Sequence, residues 1–93
     1  MLPGSRAERY LGYQQITSLS SAVGFTIPEG TAYAEVAVSG QAIRWRADGT
    51  NPTATVGMPI LANAGEIFSL AQLSAVRFIE QAPSATLDIT YYG

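Results

Sequence analysis

Three groups of side chains carry reactive or adhesive potential: the Arg44-Trp45-Arg46 triplet, the carboxylates Glu35, Glu80 and Asp88, and the tyrosines Tyr10, Tyr13, Tyr33, Tyr91 and Tyr92. Guanidinium groups beside an aromatic ring can clamp and stack single-stranded nucleic acid. Two carboxylates flanking a cleft can run glycoside hydrolysis. Tyrosine, apolar with a polar tip, suits protein interfaces and sugar platforms alike. Other routes to catalysis lack parts. The chain has no His and no Cys, and all five of its basic residues are Arg, so the usual general bases, thiolate nucleophiles and soft metal ligands are missing. Ser and Thr are plentiful, but nothing is present to take their proton and no Gly-x-Ser-x-Gly elbow occurs. No phosphate loop, EF-hand or zinc pattern is found, so the expectation is a non-enzyme without cofactor or metal.

The elements that position these groups read as strands. Val23, Phe25 and Ile27 alternate with small or polar residues, the two-residue period of a half-buried strand ended by Pro28-Glu29-Gly30. Ala32, Ala34, Val36 and Val38 form a second alternation, closed by Gly40. Ile43 and Trp45 form a third, with Arg44 and Arg46 on its other face. Trp45 is therefore core, and the arginines and the ring cannot make one stacking platform. Asp48-Gly49 predicts a tight hairpin turn. Thr53, Thr55 and Val56 favour a strand, but Pro52, Gly57 and Pro59 confine it to a sheet edge or a loop. Residues 65–82 fit two strands, Ile67–Leu70 and Leu73–Glu80, better than one helix. In the last strand Leu87, Ile89 and Tyr91 face inward and Thr86, Asp88, Thr90 and Tyr92 outward. The predicted fold is all-β: a small, jelly-roll-like β-sandwich of about seven or eight short antiparallel strands over 13–93, preceded by an extended N-terminal arm over 1–12.

On this reading Glu35, Glu80 and Asp88 are strand residues, and cross-strand ion pairs with Arg44, Arg46 and Arg77 explain them better than a sugar-cleaving site. The tyrosines read as interface residues, because acidic and amide partners for a sugar are not clustered near them in sequence. Charge points the same way. Only 13% of residues are charged and the net charge is −2. That disfavours nucleic acid and anionic membrane as partners, and it suits a surface covered by other protein chains. Neither a secretory signal nor a membrane-spanning apolar run is evident.

The runs Ile27–Ala34 and Ala42–Ile60, with Leu11-Gly12-Tyr13-Gln14-Gln15, Val76-Arg77-Phe78-Ile79 and the Tyr91-Tyr92 ending, resemble a set of small proteins encoded among the virion genes of tailed bacteriophages. The likeness covers nearly the whole chain and contains no catalytic motif. It implies a virion structural protein made in the host bacterial cytoplasm. Together with the composition, it leads to the expectation of a head decoration or cement protein on the head surface. Such a protein would bind the major capsid protein or other virion proteins as a homo-oligomer, trimer or dimer. Arg6, Arg9 and Tyr10 are the expected arm contacts, and Tyr33, Arg44 and Arg46 the expected face contacts. The alternatives are a head–tail junction or tail and fibre accessory protein and, from another class, a carbohydrate-binding module on the virion surface.

Overall fold

The computed structural model describes residues 9–93. They form seven strands and one helical turn: β1 (Tyr10–Ile16), β2 (Tyr33–Ser39), β3 (Ile43–Arg46), β4 (Met58–Ile60), β5 (Gly65–Ser69), α1 (Leu70–Leu73), β6 (Arg77–Glu80) and β7 (Thr86–Tyr92). One antiparallel sheet, sheet A, has the order β1-β7-β2-β5; the other, sheet B, has the order β4-β3-β6. Alternation decides which face of each strand is buried, as in β2, where Ala34, Val36 and Val38 are buried and Glu35 and Ala37 exposed. Leu87, Ile89 and Tyr91 of β7 and Phe68 of β5 complete the sheet A side of the core, and Ile43, Ile60 and Phe78 the sheet B side. The fold is the expected all-β sandwich.

The link between β1 and β2 supplies an eighth, minimal strand. Val23 and Phe78 exchange backbone hydrogen bonds of 2.9 and 2.7 Å, and Glu80 N–H donates to Leu19 C=O, so this segment runs along the outer edge of β6. Counted second of eight, it makes the sheet orders 1-8-3-6 and 2-7-4-5, the strand arrangement of a jelly roll. The full strand expected at Val23–Ile27 does not form. The next ladder acceptor would be Val76 C=O, which instead takes a 2.9 Å hydrogen bond from the Arg77 guanidinium. Phe25 still packs against the core, edge-on to Phe68, Phe78 and Tyr91.

Other expectations need correction. Tyr10–Gly12 belong to β1 rather than to an arm, and Arg9 continues the pairing by exchanging backbone hydrogen bonds with Gly93. Residues 1–8 lie outside the described residues. Asp48-Gly49 does not make a tight hairpin, because only Gly49 has positive φ. The Asp48 carboxylate instead turns back to Arg46 and to Thr50 N–H, and β3 and β4 are joined by the long loop 47–57. Residues 65–82 do contain two strands. The second begins only at Arg77, because Gln72 Oε1 accepts from the Ser69 N–H and hydroxyl and stabilises the turn of α1.

Each open edge is obstructed. β4 carries Pro59, which has no N–H to offer; β1 is bulged between Tyr10 and Gly12; β6 is covered at Val23. β5 is five residues long, and its Glu66 shares the inward face with Val36 and emerges exposed at the rim. Inward charge, bulges and proline are the means by which sheets avoid adding foreign strands.

Gly40 (φ +83°) illustrates how closely the links pack, since a Cβ there would lie 2.2 Å from Ser84 C=O. Gly49 (φ +85°) has nothing within 4 Å. Gly49→Ala is expected to cost about 1–2 kcal/mol from left-handed strain alone. Gly40→Ala should cost clearly more, because backbone must move. Urea denaturation of the two variants checks the order.

Candidate functional site

The outer face of sheet A gathers residues far apart in sequence. Register places Tyr10, Tyr92 and Tyr33 in one row across β1, β7 and β2, then Tyr13, Thr90, Glu35 and Ile67, then Gln15, Asp88, Ala37 and Gly65. The Tyr33 and Tyr92 rings stack at 5.0 Å and 18°. Tyr10, Tyr13 and Ile67 are 61%, 57% and 61% exposed. Below the ring rows, Ala37 and Gly65 lower the sheet surface into an open trough of about 880 Å³ bordered by Glu35, Asp88 and Asn63. Gly65 cannot be enlarged, since a Cβ would meet Val36 C=O at 2.6 Å.

Asp88 organises this face by accepting hydrogen bonds from the Tyr13 hydroxyl and from Gln15 Nε2 at 2.9 Å. That hydrogen bond, with desolvation and the carboxylate charge, raises the Tyr13 pKa above its ordinary value. Beneath the sheet, Tyr91 hydroxyl donates to Gln14 Oε1 at 2.5 Å, and Gln14 also holds the N–H and hydroxyl of Thr26. This inward amide ties the β1–β2 link to sheet A. Burial pushes the Tyr91 phenol up.

The outer face of sheet B is arginine-rich. Arg44 and Arg46 of β3 point away from the core, and Arg46 lies directly opposite Arg77 of β6. Like charges in that register repel. Arg46 is relieved by Asp48, which raises the arginine's pKa and holds the exposed carboxyl below its ordinary value. That pairing supports the fold above the normal carboxylate range and is lost as pH falls through the lowered value. Arg44 donates to Gly57 C=O at 2.8 Å and, with the Gln81 amide turned so that its oxygen faces the guanidinium, to Gln81 at 2.8 Å. Arg77 donates to the Ser74 and Val76 carbonyls. Both therefore rest against neutral acceptors rather than carboxylates.

Arg46–Asp48 is the sole ion pair among the described residues. The expected cross-strand pairs do not form, because Glu35 and Asp88 lie in sheet A and the three arginines in sheet B; Glu80 instead accepts from Ala85 N–H. At the end of sheet B, Trp45, Val56 and Met58 line a largely apolar hollow of about 460 Å³ beside that ion pair.

The candidate contact residues thus divide. Tyr10 and Tyr33 share the outer face of sheet A, Arg44 and Arg46 occupy the opposite side of the molecule, Arg9 sits exposed at the start of β1, and Arg6 lies outside the described residues. Sequence reasoning missed that Glu35, Asp88 and Gln15 join the tyrosines, because pairing between strands more than 70 residues apart brings Tyr13 and Gln15 to Asp88. Comparison with known proteins found no matching family, curated protein or solved structure. Among the described residues no group of acidic side chains is placed to hold a metal ion, and no helix is long and apolar enough to cross a membrane.

The raised phenols give a test of this geometry. In a pH titration followed by phenolate absorbance, Tyr13 and Tyr91 should ionise above the ordinary value of 10.0. Stability that depends on the neutral phenols should be intact below that value and fall as the pH rises through the folded-state values. Asp88→Asn should return Tyr13 toward the ordinary range and leave Tyr91 raised.

Proposed function

We propose that this chain is a non-catalytic structural protein of a tailed-bacteriophage virion, most specifically a head decoration or cement protein that adheres through its broad sheet faces. The observation that carries this reading is the contrast between obstructed edges and open faces. Pro59, the β1 bulge, the Val23 bridge and Glu66 hinder strand addition, while the tyrosine-rich face of sheet A stands exposed. The sequence resemblance to small virion proteins supplies the setting. A jelly roll of this size offers two faces suited to spanning neighbouring capsid subunits, and surface shared between subunits adds association energy where internal pressure would part them. The partners on this reading are the major capsid protein or other virion proteins. A position at the head–tail junction or on the tail would use the same faces under a different symmetry.

A second reading has one observation in its favour. Tyr10, Tyr13, Tyr33 and Tyr92 share a face with Glu35, Asp88 and Gln15, which combines ring platforms with hydroxyl-binding groups as a carbohydrate-binding module requires. Binding of the purified chain to a glycan array separates the two readings.

Purified virions of the encoding phage should contain the chain at a fixed ratio to the major capsid protein by quantitative mass spectrometry. A chain found only in the infected-cell lysate would defeat the proposal. Tyr13→Ala with Ile67→Ala, both at exposed positions, should lower that ratio by about tenfold, the loss of roughly 1.4 kcal/mol of contact energy, with circular dichroism establishing that the variant is folded.

A further inference from the structure

We infer that the acidic, tyrosine-rich outer face of sheet A docks onto the arginine face of sheet B of a second copy of this chain, head to tail. The inference rests on the adhesive role proposed above and names one partner for it. Glu35 and Asp88 lie on adjacent strands of sheet A, in neighbouring rows and without an arginine among the described residues of that face. On the opposite face Arg44, Arg46 and Arg77 stand together, and among the described residues Asp48 is their one carboxylate partner. The two faces therefore carry opposite charge. They also match in chemistry: guanidinium groups stack on tyrosine rings and fork onto carboxylates, and the first face presents both acceptors while the second presents the donors.

The same polarity limits the symmetry. A two-fold dimer through either face would set carboxylate against carboxylate or guanidinium against guanidinium. A head-to-tail contact sets unlike charges together in every copy, and closes a ring or extends a stack according to the rotation at each step. Obstruction of the sheet edges removes continuous-sheet pairing as a competing contact. A neutral glycan would engage the tyrosines of one face only, whereas a second copy uses both faces.

The test is sedimentation velocity of the full chain across a concentration series. Self-association is expected, weakened at least about tenfold between roughly 0.05 M and 0.5 M salt because exposed charges are screened over that range. This arm needs no variant. Glu35→Arg with Asp88→Arg, and separately Arg44→Glu with Arg77→Glu, should each sediment as a monomer. Mixing the two should restore a complex, since the native acidic face of the second variant meets the native arginine face of the first. Circular dichroism establishes that each variant is folded.

A wild-type chain that stays monomeric at about 1 mM in low salt overturns the inference, as does association indifferent to salt. Glycan binding to sheet A by a chain that remains monomeric overturns it too. A monomer that is nevertheless present at fixed ratio in virions defeats this contact alone and leaves the virion role standing, whereas a self-associating chain absent from virions defeats the virion role and keeps the contact.

Discussion

Phe68 of sheet A meets Phe78 of sheet B edge-on at 5.6 Å, Phe25 closes on both at 5.1–5.7 Å, and Trp45 meets Phe68 at 4.9 Å. This ring cluster joins the two sheets and spans from an edge strand of one to the covered edge of the other. Each perpendicular pair adds about 0.5–1.5 kcal/mol beyond its buried area. Truncating Phe78 would remove contacts with two other rings as well as open a cavity in the middle of the core. Because the cluster fills the space between the sheets, the surfaces open to function include the outer faces, the hollow beside Trp45 and a smaller one lined by Gln14, Thr26 and Tyr91.

Those outer faces differ because alternation couples each buried residue to an exposed neighbour. Burying Ile43 and Trp45 turns Arg44 and Arg46 outward from sheet B, and burying Val36 and Ile89 turns Glu35 and Asp88 outward from sheet A. A one-residue slip in either sheet would bury these charges, so the register that forms the core also fixes the polarity of the surface. Few charges are needed for this. With 13% of residues charged, their placement on opposite faces matters more than their number.

The strands were legible wherever alternation was regular. β2, β3 and β7 could be read directly, with Trp45 and Tyr91 inward, whereas Thr53–Val56, which favoured a strand by residue type, lie in a loop and the edge strand β4 forms at Met58–Ile60. Local signals failed where a side chain from elsewhere took over a backbone or turn group. Arg77 occupies the Val76 carbonyl and cuts short the strand at Val23, Arg46 draws the Asp48 carboxylate away from a tight turn, and Gln72 stabilises a helical turn inside an apolar run. The candidate site was legible only in part. Tyr33 and the arginines could be placed outward from their own strands, but which sheet each strand enters is set by pairing across most of the chain. The separation of carboxylates from arginines, and the gathering of Gln15 and Asp88 with the tyrosines, is therefore a property of topology rather than of any local motif.

On the proposed role, this jelly roll acts by adhesion through its broad faces. Cryo-electron microscopy of the intact particle tests it most directly. Density for the sandwich is expected in the mature virion, with Tyr13, Ile67 and the Arg44–Arg77 region buried against neighbouring chains and the strand edges uncovered. Particles without the chain, or a chain held by strand addition at β4 or β5 with both faces bare, would contradict it.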